Sequence, residues 1–174
     1  YRGVFAGGTT GTRQTVIEYV VVETAADATT FGSLAAATAG CSGAASANYG
    51  LYGGGNDGSK ITQINYITFS TLSDSSDFGD LTEVRQEAAA CTNSTRAICF
   101  GGGPGNDARG SIDFFTIATL GNASNFGDLV NDMQSGMGAT SSPTRGVTNT
   151  GVDASNVIEY IAIATQGDAV DFGD

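Results

Sequence analysis

Carboxylate and amide side chains recur beside a Phe-Gly pair that the chain repeats four times. In the second copy, Asp74, Asp77 and Asp80 surround Phe78. Oxygen-rich clusters of this kind can hold Ca²⁺. The same side chains also hydrogen-bond their own backbone in Asx turns, and their spacing does not match the calcium-loop templates. We predict turn residues here, with calcium as the alternative, and no other cofactor.

Two glycine-rich loops carry neighbouring Asn-Asp pairs, Asn56-Asp57 and Asn106-Asp107. Glycine loops can cradle phosphate, but no Gly-Lys-Ser/Thr follows, and the glycines lead into a strand pattern instead of a helix. Polar loops on a rigid scaffold are typical ligand-contacting segments. We therefore predict that the four residues of these pairs contact a ligand.

Three arginines precede the same predicted strand in three copies: Arg2, Arg96 and Arg145. A guanidinium at a fixed place can tie neighbouring repeats by donating to carbonyls or to the repeated acids. The alternative is a row of anion or sugar contacts, with Arg96 as its central member. We expect the structural role, and a largely buried Arg96.

The chain lacks the usual catalytic and metal-binding residues. It has no His, and Cys41, Cys91 and Cys99 do not have metal-binding spacing. Without His the common general base and the Ser-His-Asp relay are missing. Cys91 and Cys99 flank a predicted turn, which leaves a disulfide and two buried thiols both open. We predict no catalytic residue, no metal site beyond the calcium alternative, and no enzyme.

Net charge and hydropathy limit the classes of partner that this protein is expected to bind. The 174 residues hold 7 Lys and Arg against 18 Asp and Glu, a net charge of −11. Such a surface repels nucleic acid and anionic lipid, and no stretch approaches the ~20 apolar residues of a membrane span. Because 40% of the residues are hydrophobic and 14% charged, the chain is too apolar to be disordered.

The elements that would position these residues come from an internal repeat. An Ile followed by a polar and an aromatic residue recurs at intervals of 47, 48 and 46 residues, at Ile17, Ile64, Ile112 and Ile158. A Phe lies 14 residues after each Ile, at Phe31, Phe78, Phe126 and Phe172. A fixed offset is best explained by packing, so we expect all four Phe side chains to be buried.

Each repeat predicts four short antiparallel strands. In the third copy a small-residue run over 86–92 precedes a turn, and strands follow over 96–100, 111–119 and 126–129. No window has helical periodicity between caps. We predict an all-β fold of four-stranded antiparallel sheets that repeat every ~47 residues, as in β-propeller blades.

These features resemble the kelch repeat. The glycine pair is Gly7-Gly8, Gly53-Gly54 and Gly101-Gly102, and the later aromatic is Phe where kelch repeats usually carry Trp. The repeat also resembles structural and tail-fibre-like proteins of marine cyanobacterial phages, on the wording IDFFTIAT, GNASNFGDL and STR before the glycines. The resemblance implies a virion or extracellular location.

One repeat domain over 1–174 is expected, with units over 17–63, 64–111 and 112–157 and partial units over 1–16 and 158–174. Arg2 matches Arg96 and Asp174 matches Asp80, so a stretch equivalent to 81–94 is missing between the two ends. We expect a segment of a longer tandem array.

Three functions are compatible with this sequence. The leading one is a non-enzymatic structural and adhesive module of a virion appendage such as a tail fibre, with other virion proteins, copies of itself and a host-surface glycan or protein as partners. The alternatives are a protein-interaction propeller inside a cell and, third, a carbohydrate-active enzyme.

Overall fold

A computed structural model of the chain describes residues 1–103, 109–133, 137–149 and 156–173. These residues form four antiparallel sheets and no helix. The predicted all-β class is therefore confirmed. Within this described part, no helix is long and apolar enough to cross a bilayer.

The sheets follow one another along the chain, and each is a simple meander. Sheet 1 contains β1 (Arg2–Ala6), β2 (Val16–Val21) and β3 (Thr29–Ser33). Sheet 2 contains β4 (Ser42–Ala45), β5 (Tyr49–Gly53), β6 (Gln63–Thr68) and β7 (Ser76–Asp80). Sheet 3 contains β8 (Ala89–Thr92), β9 (Arg96–Phe100), β10 (Arg109–Thr116) and β11 (Ser124–Met133). Sheet 4 contains β12 (Ala139–Ser141), β13 (Arg145–Asn149), β14 (Ile158–Ala162) and β15 (Val170–Gly173).

Strand bounds differ from the predicted ones in sheet 3. The strand predicted over 96–100 is β9, but the next strand is shifted to Arg109–Thr116. The predicted strand over 126–129 extends to ten residues in β11, because β11 pairs with β10 as far as the Arg109–Met133 register. The predicted units, which begin at each Ile, cut sheets 2, 3 and 4 at their third strand and sheet 1 at its second strand. The sheets are instead separated by linkers such as 34–41 and 81–88.

A β-bulge explains the fixed offset between Ile and Phe. Ile64 pairs with Gly79 and Asn65 pairs with Asp77, so Phe78 is the extra residue of the bulge. The same register shift occurs in the other three sheets, beside Ile17, Ile112 and Ile158. A bulge re-aims a side chain out of the strand's alternation, and here it directs each Phe to one face of its sheet.

Three apolar clusters lie between successive sheets. Phe31 of sheet 1 packs with Tyr52 and Ile67 of sheet 2. Phe78 occupies the equivalent place against sheet 3, and Phe126 against sheet 4. Each sheet is therefore buried by its neighbours, as in repeat proteins in which a single unit cannot bury its own faces.

The expectation that all four Phe side chains are buried is wrong for Phe172. It is 55% exposed, against 3% for Phe126 at the same repeat position. The difference arises because no described element follows sheet 4 to cover it. Phe172 retains the edge-on contact with Tyr160 that its equivalents make with their own aromatic partners.

The first strands of sheets 2, 3 and 4 lie side by side. They consist of small residues, and hydroxyl groups link them. Thr92 donates to the Ala45 carbonyl, and Ser141 donates to the Thr92 carbonyl at 2.6 Å. Sheet 1 lacks this first strand, so β1 corresponds to β5, β9 and β13.

Candidate functional site

A polar cleft lies at the end of the sheets that carries the glycine-rich loops and the linkers. It has a volume of about 470 Å³. One wall is the loop between β1 and β2, and the other is the loop after β5 together with the linkers into sheets 2 and 3. The lining comprises Thr9, Gly11, Thr12, Arg13, Ala39, Gly40, Asn56, Gln86 and Glu87. This end of the sheets is called the loop face below.

Glu87 is held in an unusual backbone conformation at this cleft. Its φ is +57°, and it is the one non-glycine residue of the described ranges with a positive φ. The equivalent residue of the preceding linker is Gly40, with a φ of +69°. The Glu87 amide donates to the Gly40 carbonyl at 2.7 Å. Side chains other than Gly, Asn and Asp are costly in this region, and such strain is concentrated at functional sites.

Arg85 anchors the linker that presents Gln86 and Glu87. Its side chain is fully buried and donates to the carbonyls of Gly101, at 2.6 Å, and Ser111, at 2.8 Å. Its backbone carbonyl accepts from the Gly55 amide at 2.7 Å. One residue therefore fixes the linker to the glycine loop of sheet 2 and to the strands of sheet 3.

A buried carboxylate balances the Arg85 charge. Asp113 on β10 lies 3.1 Å from Arg85 Nη2, and both side chains are fully buried. The other oxygen of Asp113 accepts from the Thr82 amide at 2.8 Å. Glu83 forms a second ion pair with Arg85 at 3.3 Å. Buried ions are tolerated when they are paired and hydrogen-bonded in this way.

The other repeats carry different residues at the positions of Arg85 and Asp113. Between sheets 1 and 2, Thr38 takes the backbone role of Arg85 and accepts from Gly8, while Asn65 replaces Asp113. In sheet 4 the buried carboxylate is Glu159, which accepts from the Val130 amide at 2.8 Å. Among the described residues its Oε1 has no hydrogen-bond partner, and the Arg85 position of the repeat is Met133.

The structure places Asn56, one of the predicted ligand residues, in the cleft and Asp57 outside it. Asn56 lines the cleft, where its Nδ2 donates to Gln86 Oε1 at 3.3 Å. Asp57 is exposed outside the cleft lining, and its carboxylate accepts from the Ser59 amide at 3.1 Å. Asn106 and Asp107 lie outside the described residues.

The arginine row lies at the opposite end of the sheets from the loop face. Arg2, Arg96 and Arg145 each stack on the aromatic ring of their own repeat, at 4.5, 4.9 and 4.7 Å from the ring centroids. Arg2 and Arg96 also donate to carbonyls of the next sheet, those of Phe69 at 3.2 Å and Ile163 at 2.7 Å. Both carbonyl contacts join neighbouring repeats. The expectation of a largely buried Arg96 is wrong, since its side chain is half-buried at the rim.

The repeated loop acids cap backbone amides. Asp74 accepts from the Ser33 amide of the preceding sheet at 2.9 Å, and Asp168 accepts likewise from Asp128 at 3.0 Å. Asp77 accepts from Gly79 within its own turn, and Asp80 accepts from the Thr62 hydroxyl. The three calcium candidates, Asp74, Asp77 and Asp80, thus have separate protein partners. In the described ranges no three His, Cys, Asp or Glu side chains are grouped to hold a metal ion.

Cys91 and Cys99 are free thiols on opposite faces of sheet 3. Cys91 packs toward sheet 4 and Cys99 toward sheet 2. The disulfide alternative is therefore wrong, because the two side chains point away from each other. Burial raises the pKa of the Cys91 thiol to about 11 and raises that of Cys99 as well.

Sequence reasoning missed most of the cleft. Arg13, Gln86 and Glu87 come from two segments that no shared motif connects. The buried Asp113 had a signal, because a polar residue follows the Ile in all four copies, between two apolar neighbours. Such a position inside an otherwise apolar strand predicts a buried polar group with a dedicated partner.

No protein-family model matches the chain, and no curated protein is significantly similar to it in sequence.

Proposed function

We propose that the protein is a non-enzymatic structural and adhesive module whose sheets are successive blades of kelch-like β-propeller repeats. The side-by-side first strands, the repeated bulges and the three inter-sheet cores support this architecture. Following the repeat's resemblance to tail-fibre-like proteins, the module belongs to a virion appendage outside the cell. Other virion proteins are its structural partners.

The loop face carries the adhesive function. Its cleft offers amide, hydroxyl, guanidinium and carboxylate groups, from Asn56, Thr12, Arg13 and Glu87, which suits a hydroxyl-rich glycan. Glu87 is the one carboxylate of the lining, whereas glycoside hydrolysis uses two carboxylates that face each other across the bond. This lining supports binding more than hydrolysis.

The observation that carries the proposal is the pairing of Gly40 with Glu87. The repeat accommodates glycine at this left-handed position, yet one linker places a strained Glu there, with its side chain at the cleft. A strained residue at a position where glycine would fit without strain is expected where its side chain has a function.

A glycan array probed with the labelled protein tests the proposal. Glu87→Gly removes the side chain and the strain together, so we expect binding to be lost while the melting temperature is unchanged or higher. Arg13→Ala is expected to weaken binding, and Asp57→Ala, in the same loop face but outside the cleft, is the matched control. Retained glycan binding by Glu87→Gly, or no glycan bound by the wild-type protein, would contradict the proposal.

A further inference from the structure

The arginine row is interrupted in sheet 2. The three arginines occupy the first position of β1, β9 and β13, whereas the first residue of β5 is Tyr49. Where the arginines stack on the aromatic ring of their own repeat, the Tyr49 ring lies edge-on against that of Tyr66, with the ring centroids 5.7 Å apart. The interface between sheets 2 and 3 therefore has tyrosine where the other two interfaces have arginine.

This exchange leaves a backbone acceptor without its guanidinium donor. Arg2 and Arg96 each donate to the carbonyl that lies five residues after the Ile of the next sheet, those of Phe69 and Ile163. The corresponding carbonyl of sheet 3 belongs to Ile117. In the described ranges no side chain donates to this carbonyl.

A groove of about 420 Å³ opens beside Ile117, at the end of the sheets that carries the arginine row. It lies between the β4–β5 turn of sheet 2, the β8–β9 turn of sheet 3 and the residues that follow β10, and it is called the Tyr49 groove below. Tyr49, Asn48, Asn93 and Ile117 are among its lining residues. The same positions in sheets 3 and 4 include Arg96 and the carbonyl to which it donates.

The chemistry of the lining suits a guanidinium group. The Tyr49 ring can take a cation over its face, and the Ile117 carbonyl and the exposed Asn48 side chain offer oxygen acceptors. None of the lining residues is charged, so an anion finds no counter-charge, while the net charge of −11 attracts cations. A guanidinium is more weakly hydrated than an ammonium and stacks on aromatic rings, which favours arginine over lysine in a neutral groove.

The surroundings of the groove favour an arginine that is carried by a polypeptide. Ala47 and Ala118 line the groove and are exposed, and Leu120, two residues after Ala118, is 64% exposed. Apolar residues around a central polar contact can pack against the chain that flanks the arginine and exclude water from it. A free guanidinium compound would leave these side chains uncovered.

We propose that the Tyr49 groove binds an arginine side chain of a partner protein. The guanidinium of the partner takes the place that Arg96 has between sheets 3 and 4, so it stacks on the Tyr49 ring and donates to the Ile117 carbonyl. The groove and the loop face lie at opposite ends of the sheets, and the proposal does not depend on glycan binding.

An NMR titration of the isotope-labelled 174-residue chain tests the proposal. The probe is a capped glycyl-arginyl-glycine tripeptide, and its control carries citrulline, which has nearly the same shape and no charge. We expect saturable shifts of the backbone amides of Tyr49, Asn93 and Ala118, with a dissociation constant in the millimolar range. The citrulline peptide should bind at least about fivefold more weakly. Methylguanidinium should also bind more weakly than the arginine peptide, and tighter binding of methylguanidinium would contradict the proposal, because it assigns the groove to a small molecule.

Substitutions of Tyr49 locate the binding. Tyr49→Arg restores the residue of the other sheets, so its own guanidinium should fill the groove and abolish peptide binding without lowering the melting temperature. Tyr49→Leu keeps an apolar contact with the core between sheets 2 and 3 but removes the ring, and it should weaken binding at least about threefold. Tyr49→Phe keeps the ring and is the matched control, with binding equal to that of the wild type.

Three results overturn the proposal. The first is the absence of saturable shifts with the arginine peptide, and the second is equal binding of the arginine and citrulline peptides. The third is undiminished binding of the arginine peptide by folded Tyr49→Arg, because it places the peptide outside the Tyr49 groove.

Discussion

Arg85 and Asp113 form an ion pair between two fully buried side chains, with Nη2 and Oδ1 3.1 Å apart. Arg85 belongs to the linker between sheets 2 and 3, and Asp113 belongs to β10. Because Gln86 and Glu87 follow Arg85 directly and line the cleft, the buried pair holds the linker that shapes the candidate site.

Breaking this pair is predicted to be costly, since Arg85→Thr leaves the buried Asp113 carboxylate without its counter-charge and Asp113→Asn leaves the buried Arg85 with Glu83 as its remaining ion-pair partner. Arg85→Thr and Asp113→Asn should each lower the free energy of unfolding by about 3–5 kcal/mol. The double variant should lose less than the sum of the two, because sheet 2 uses Thr38 and Asn65 at these positions. Denaturant titration of the four proteins gives the coupling energy, and strictly additive losses would contradict the pairing.

Glu159 provides the matched control for the Asp113 substitution. It is equally buried, but its Oε1 has no hydrogen-bond partner in the part of the chain that the structure describes, and Met133 occupies the repeat position of Arg85. Glu159→Gln keeps an oxygen for the Val130 amide and removes a charge. Its free energy of unfolding is expected to stay within about 1 kcal/mol of the wild type or to rise, in contrast to Asp113→Asn.

The Phe side chains at the repeated bulges are predicted to differ by position. Phe78→Ala should lower the free energy of unfolding by about 3–5 kcal/mol, because it opens a cavity between sheets 2 and 3. Phe172→Ala, the same substitution in sheet 4, should cost less than about 1 kcal/mol, because the side chain is 55% exposed. Similar losses in dilute protein would show that Phe172 is covered in solution.

The sequence predicts each sheet better than it predicts what covers a sheet. The Ile-to-Phe offset recurs in all four sheets because it depends on local strand pairing alone, but the bulge that produces it was not predicted. Burial of Phe172 depends on whether another sheet packs against sheet 4. A sequence pattern within one repeat cannot predict this. The strained φ of Glu87 was likewise hidden, because only superposition on Gly40 shows that the two residues share a conformation.

Arg96 and Arg145 are predicted to contribute differently to stability. Both stack on an aromatic ring, but Arg96 alone of the two also donates to the next sheet, at 2.7 Å from Ile163 O. Arg96→Ala should lower the free energy of unfolding by about 1–2 kcal/mol, and Arg145→Ala by about 0.5 kcal/mol. Thermal denaturation at low protein concentration compares the two, and glycan binding per folded molecule should be unchanged in both. Lost glycan binding in Arg96→Ala at an unchanged melting temperature would instead assign the row to ligand recognition.

The candidate site was less predictable than the fold because its residues come from separate repeats. Asn56 was identified from its glycine-rich loop, but Arg13 and Gln86 have no repeated equivalents that single them out. They meet only because sheets 1, 2 and 3 are in register through their inter-sheet cores. Contact between non-repeated loops is a property of the stacking, and a single repeat does not encode it.

The buried thiols predict a loss of stability at alkaline pH. Burial raises the pKa of Cys91 from its ordinary value of 9.0 to about 11, and it raises the pKa values of Cys41 and Cys99 in the same direction. Because their pKa values are raised in the folded state, the protonated thiols make their full contribution to the free energy of unfolding below pH 9. This contribution is lost as the pH rises from 9 to 11, because the unfolded chain releases the proton first.

The Cys91 contribution can be isolated by its pH dependence. It amounts to about 1.4 kcal/mol for each pH unit between 9 and 11. Cys91→Ala lowers the free energy of unfolding at every pH through the cavity it leaves, but it should remove this slope. Subtracting the variant's denaturation curves from those of the wild type cancels the titration of Tyr and Lys. A difference that stays constant from pH 7 to pH 11 would show that the thiol has its ordinary pKa and is reached by solvent.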